Sequence, residues 1–251
     1  MTDTVQIPTT ATTPTKTSTT EWMRLARSGA IVMVIWSIVL QITAGTLIPP
    51  VAVIGLVFLA FLPFLKGERR RVGLALSIFT AVALLGNLDG IIDELQNPES
   101  APAFILTLGS TVGAFLAVAG GLGAFFRLPA QPIRTLAIGA VGVFLLGTVG
   151  SLLVADGTGS DVALATDVKV TAQQVMWAPE EIRIDTSAPG LWIENRDGIR
   201  HTFTIPELGI DLEVPALKAR RVEIDAEPGT YQIICAVPGH ETMTGILTIN
   251  G

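Results

Sequence analysis

The chain has 251 residues, of which 49% are hydrophobic and only 15% charged, and its mean hydropathy is +0.58. Soluble domains carry about 25% charged residues, so these figures speak against a wholly soluble protein, and they exclude a wholly disordered one. A single cysteine excludes an intramolecular disulfide framework and any four-thiolate metal site, and a net charge of -6 argues against nucleic acid as the partner.

The charge is uneven. Residues 156–251 hold 15 acidic and 7 basic side chains, whereas residues 1–155 hold 7 acidic and 9 basic. An apolar, slightly basic front precedes an acidic, polar back third.

Residues 1–20 contain ten threonines and almost no large apolar side chain. Such a segment cannot bury a core, so residues 1–27 are expected to form a disordered tail. The apolar run begins after Arg24 and Arg27 and is too long for a signal peptide. From Ser28 to Leu65 there is no charged residue, a stretch of roughly 57 Å as helix against a hydrocarbon core of about 30 Å. Pro49 and Pro50 break it into spans near 28–47 and 50–65. Further spans are expected near 72–92, 102–126 and 133–154, completing a five-helix transmembrane domain over 28–155. The Lys and Arg residues of the intervening segments alternate with none at each crossing: Lys16, Arg24 and Arg27; none; Lys66 and Arg69 to Arg71; none; Arg127 and Arg134. This positive-inside pattern puts the N-terminus in the cytoplasm and the C-terminal third outside the plasma membrane. Gly109 and Gly113, and the run Gly139, Gly142, Gly147 and Gly150, point to close helix packing. Asp89 and Asp93 fall where the third span meets the outer interface. The spans contain no His or Cys, which excludes haem ligated by either.

A polar, Gly-rich linker at 156–166 leads into a domain at 167–251 built of short β-branched runs. Strands are expected near 168–175, 181–185, 191–195, 201–205, 210–214, 219–225, 230–235 and 245–250. The pairs Ile182/Ile184, Phe203/Ile205, Val222/Ile224 and Leu247/Ile249 each fall on one strand face. Ala188-Pro189-Gly190, Arg196-Asp197-Gly198 and Glu227-Pro228-Gly229-Thr230 supply the turns. Eight short strands in this length read as an all-β sandwich or Greek-key barrel.

All of the chain's His and Cys lie in this domain: His201, Cys235 and His240, with Met243 three residues after His240. Two imidazoles and a thiolate in a plane, with a weak axial thioether, are what a copper electron-transfer site uses. A thiolate-bridged binuclear centre needs two cysteines, and a multicopper oxidase or copper nitrite reductase needs more histidines. Substrate turnover is therefore not expected of this chain.

The stretch 189–251 resembles the cupredoxins, the type 1 blue copper proteins. The matching residues are Asn195-Arg196-Asp197-Gly198-Ile199-Arg200-His201-Thr202-Phe203, and Gly229 to Ile249 with Tyr231, Cys235, His240, Met243 and Gly245 in place. The resemblance implies a Greek-key β-sandwich with copper at one end. It implies ligation by His201, Cys235 and His240, with Met243 axial, and a His240 edge that reaches the surface and passes the electron. Asn195 and Thr202 are the candidates for orienting the ligands. The reading that follows is a membrane-anchored one-electron carrier on the outer face. Its acidic domain favours a basic redox partner such as a cytochrome or respiratory complex. The alternatives are copper delivery, resistance or sensing, and a helical channel or transporter regulated by copper. A Met-rich delivery site is disfavoured, since the domain holds only Met176 and Met243.

Overall fold

The computed structural model describes residues 16–44, 47–185 and 190–251. Six helices come first: α1 (Lys16–Ala44), α2 (Pro49–Phe61), α3 (Arg70–Gly86), α4 (Leu88–Gln96), α5 (Ala101–Phe126) and α6 (Gln131–Gly157). Within these, Ser18–Thr43, Ala101–Phe126 and Gln131–Gly157 are each long and apolar enough to cross a membrane. The helices α3 and α4 meet that test only as a pair, bent by 64°. The break falls inside the single span expected at 72–92. Gly86 and Asn87 stop α3 there, and the Asn87 side chain donates back to the Ala83 carbonyl at 2.8 Å. The expected second span is α2, whose 13 residues give about 20 Å of helix. Pro49 and Pro50 open α2 at its first turn, where a missing N–H costs nothing.

The segment 16–27, expected to be disordered, is the first part of α1; residues 1–15 lie outside the described residues. A run of threonines hid an apolar cluster. Trp22, Met23 and Ala26 are all buried in the helical core. The Trp22 indole and the Ser18 hydroxyl both donate to the Leu128 carbonyl, at 2.9 and 3.0 Å, tying α1 to the α5–α6 turn.

Close helix packing uses three of the expected glycines, Gly109, Gly113 and Gly147, together with others that were not expected. Gly29 and Gly120 lie where α1 and α5 meet backbone to backbone, and Gly121 faces Gly73 of α3. Ser77 clips that second contact, donating to the carbonyls of Gly73 and Val118, each at 3.0 Å. Of the expected set, Gly113 packs on Val32, Gly109 on Phe144 and Gly147 on Leu108. Gly139, Gly142 and Gly150 face open space, so the α6 run is not a packing seam.

Nine strands follow among the described residues: β1 (Val168–Ala172), β2 (Trp177–Ala178), β3 (Glu181–Asp185), β4 (Gly190–Asn195), β5 (His201–Ile205), β6 (Ile210–Val214), β7 (Ala219–Glu223), β8 (Gly229–Ile234) and β9 (Thr244–Asn250). One sheet has the order β2-β1-β4-β7 and the other β3-β9-β8-β5-β6. The pairs β1/β4 and β3/β9 are parallel; the rest are antiparallel. Ile182, Ile184, Phe203, Ile205, Leu247 and Ile249 from one sheet meet Val170, Leu191 and Ile193 from the other in a single core, with Val222 and Ile224 partly buried against it. All eight expected strands are present. The first ends at Ala172 rather than 175, because Gln174 and Val175 turn with φ of 55° and 58°. The two-residue β2 was not expected. The turn at Ala188-Pro189 lies outside the described residues.

The linker is pinned to the sandwich. Asp161 accepts from the Trp192 indole at its carbonyl and from the Arg221 N–H at its carboxylate. The β domain rests on the corner between α4 and α5. Ala216 N–H donates to the fully buried Ser100 hydroxyl at 3.0 Å, and Arg200 pairs with Asp93 of α4.

The two kinds of glycine should respond differently to added bulk. Gly120→Val forces α1 from α5 and is expected to lower stability by about 1–3 kcal/mol. Gly139→Val should change it by no more than about 0.5 kcal/mol. Unfolding of the two purified variants in detergent checks the pair.

Candidate metal centre

The chain brings its two histidines and its cysteine to one end of the sandwich. His201 is the first residue of β5, Cys235 follows the last residue of β8, and His240 and Met243 lie on the loop into β9. Nδ1 of His201 lies 3.9 Å from the Cys235 Sγ, and Nδ1 of His240 lies 3.6 Å from it. One ligand atom from each of the three residues falls within 4.8 Å of the others. His201 and Cys235 are buried, and His240 is partly exposed. Met243 is buried in the sandwich core directly behind the loop.

The loop is closed on itself. Cys235 N–H donates to the Met243 carbonyl at 3.0 Å, His240 N–H to Val237 at 3.0 Å and Met243 N–H to His240 at 2.8 Å. Gly239 turns between them with φ of 87°, a region open to glycine at little cost.

Asp197 fixes the first histidine. Its carboxylate accepts from the ring Nε2 of His201 at 2.9 Å, which sets the tautomer and turns Nδ1 toward Sγ. The same carboxylate accepts from the N–H groups of Gln174 and Val175, at 2.8 and 3.0 Å. The two positive φ angles at Gln174 and Val175 aim consecutive amides at one anion. In sequence Asp197 stood in a turn and in the matched stretch without a role of its own; its spacing of four before His201 was the signal.

Thr202 touches the Cys235 sulfur directly, whereas Asn195 reaches the cluster only through Asp197. The Asn195 amide donates to the carbonyls of Ile199, Val214 and Pro215, and its oxygen accepts from Asp197 N–H at 2.8 Å. It therefore holds the loop that carries Asp197. Thr202 N–H donates to the Cys235 sulfur at 3.4 Å, and its hydroxyl accepts from Ala236 N–H at 2.7 Å. Trp177 of the unexpected β2 lies edge-on to His201 and Phe203, closing the buried side.

These contacts set the charge. Burial pushes the Cys235 thiol up, but His201, His240 and the N–H groups of Thr202 and Val237 outweigh it and bring it down to about 5. Burial also pushes the His201 imidazole down, and Asp197 and Cys235 more than reverse that, so it is raised. The sulfur is then a thiolate at neutral pH, the form that binds metal. A thiolate and two imidazole nitrogens within a few ångströms form the donor set of a trigonal copper site.

Residues 145–249 match the family model of the cupredoxin-like domain. The C-terminal domain is a cupredoxin-like domain. Among solved structures, a reduced mutant form of amicyanin is 18% identical over 35% of this chain and 86% of its own, with a TM-score of 0.31. The copper-containing nitrite reductase of Thermus scotoductus SA-01 is 17% identical over 38% of this chain, with a TM-score of 0.30; the chain spans 24% of its length. The metal-binding domain of the Cu(I)-exporting P-type ATPase CopA of Streptococcus pneumoniae D39 is 13% identical over 37% of this chain and 95% of its own, with a TM-score of 0.30. No curated protein matches the chain. The cupredoxin-like domain and its His–Cys–His cluster indicate copper as the cofactor.

The depressed thiol makes a direct prediction for the copper-free protein. Ultraviolet thiolate absorbance should rise with pH through a midpoint near 5 rather than near 9, because the folded state favours the anion. The midpoint should return toward the ordinary thiol value on unfolding.

Proposed function

We propose that this protein is a membrane-anchored carrier of single electrons. His201, Cys235 and His240 would hold copper, with the thioether of Met243 as a fourth, weaker ligand. The observation that carries the reading is the Cys235 sulfur set between two Nδ1 atoms on a self-bonded loop, with all three ligand atoms within 4.8 Å. When bound, copper supplies a Cu(I)/Cu(II) couple.

The protein's part is to keep the ligands still. Asp197 holds the His201 ring, Thr202 holds the sulfur and the residue after it, and the loop hydrogen bonds hold His240 over Cys235. Little has to move when the charge of the site changes. His240 is the ligand left partly exposed, and it is the way in and out for the electron. A copper-delivery site needs ligands open to exchange, whereas His201 and Cys235 are buried. The domain is a carrier rather than a site of substrate turnover.

This reading takes five crossings: the three long helices, the bent α3–α4 pair as the third, and as the second α2, which at about 20 Å is shorter than the hydrocarbon core. The alternating Lys and Arg segments support a cytoplasmic N-terminus and a Greek-key copper domain on the outer face. The domains divide as 28–155, 156–166 and 167–251, with α1 extending into the segment before 28. The surplus of acidic side chains on the copper domain selects a basic redox protein by charge.

Stopped-flow oxidation of the Cu(I) protein by a basic c-type haem protein tests this. The rate should fall steeply as ionic strength rises from about 0.01 to 0.15 M, where the screening length shrinks from roughly 30 to 8 Å. Loss of copper to a Cu(I) chelator faster than any electron transfer would replace the carrier with a delivery protein.

A further inference from the structure

A cavity of about 460 Å³ opens in the helix bundle at the end on which the copper domain rests. Its volume lies within the range of about 300–1,000 Å³ typical of small-molecule sites. Trp36, Leu40, Ile54, Phe58 and Leu84 supply an apolar interior drawn from α1, α2 and α3. Leu85, Asn87 and Leu88, at the bend between α3 and α4, line it and are themselves exposed. The cavity therefore opens beside the α3–α4 bend, at the end of the bundle that faces the copper domain.

The roof of the cavity is Pro238 and Gly239, the two residues before His240. An occupant thus lies one peptide unit from the ligand that the electron-carrier reading makes the electron's exit. Among the described residues no Lys or Arg lines the cavity, and the one charged group on its wall is Asp89. Asp93 and Glu94 follow on the same short helix. Asp93 is paired with Arg200, so the charge that a phosphate headgroup meets on the wall itself is the carboxylate of Asp89. A neutral ring is not repelled there, and the Asn87 amide, the Thr107 and Ser110 hydroxyls and the chain at Gly239 offer it polar contacts.

We propose that this cavity binds the ring and first tail units of a membrane-soluble isoprenoid quinone. The choice of a quinone among neutral lipids rests on the electron-carrier reading; the existence of a neutral-lipid site rests on the cavity alone.

The experiment uses the copper-free full chain in detergent, titrated with decylubiquinone and with a short-tailed naphthoquinone. Quinones quench indole fluorescence, and Trp36 is the one of the chain's four tryptophans that lines the cavity. Saturable quenching is expected, and most of it should vanish in Trp36→Phe. Gly86 and Gly90 line the cavity, and a side chain started at either meets no neighbour within 4 Å. Gly86→Leu and Gly90→Leu should each weaken binding at least about tenfold, equivalent to about 1.4 kcal/mol. Two variants on different helices guard against misfolding of one. Linear, non-saturating quenching would overturn the proposal. So would binding that survives both glycine substitutions, or a co-purified phospholipid, seen by native mass spectrometry, that neither quinone displaces. Because no copper is present, failure here leaves the thiolate–copper absorption of the loaded protein untouched. Loss of that absorption would leave the binding isotherm untouched.

Discussion

The bond from His201 Nε2 to Asp197 holds the metal centre in register with the rest of the sandwich. Asp197 gathers three N–H donors, two from the turn between β1 and β2 and one from the ring at the start of β5. One carboxylate therefore joins the two sheets at the end where the ligands meet. It also decides which imidazole nitrogen faces the sulfur. Asn195 holds Asp197 in turn, through a bond to its N–H and three bonds to neighbouring carbonyls. On the other side of the cluster, Thr202 fixes the sulfur. Hydrogen bonds from Asp197 and Thr202 thus hold the His201 ring and the Cys235 sulfur on either side of the cluster.

The residue before His201 carries the second constraint. Arg200 is buried, and its guanidinium pairs with Asp93 of α4 and approaches Glu213 at 3.8 Å. A buried cation is stable only while its partners remain, and removing one partner typically costs about 3–5 kcal/mol. Burial, with Glu99 and Asp93 nearby, holds Glu213 above its usual carboxylate range, and the attraction of Arg200 offsets only part of that rise. The ion pair and the Ser100–Ala216 bond seat the copper domain on the α4–α5 corner. That seating brings Pro238 and Gly239 over the cavity in the bundle. The geometry of the copper loop and that of the membrane helices are thus one problem, although 107 residues separate Asp93 from Arg200 in the chain.

What could be read from the sequence follows from what is local. Alternation placed Ile182 with Ile184 and Leu247 with Ile249 on buried faces because a half-buried strand shows its period directly. His201, Cys235 and His240 stood out because the chain has no other His or Cys. Asp197 hid in an Asp-Gly pair, which in sequence is a turn whatever else it does. β2 is two residues long and has no period. Gly139, Gly142 and Gly150 resembled a packing seam, but which face of a helix meets a neighbour is a tertiary fact. The same holds for the start of α1, where threonines concealed Trp22 and Met23, and for the bend at Asn87. The pairing of Arg200 with Asp93 has no local signal at all.

The proposed function rests on Cys235 binding copper as a thiolate between two imidazoles. The most direct measurement is the visible absorption and electron paramagnetic resonance of the full chain loaded with Cu(II), beside its Cys235→Ser variant. The account predicts an intense thiolate-to-copper band with a narrow copper hyperfine splitting, both lost in the variant. A weak, tetragonal Cu(II) spectrum that the variant retains would contradict it.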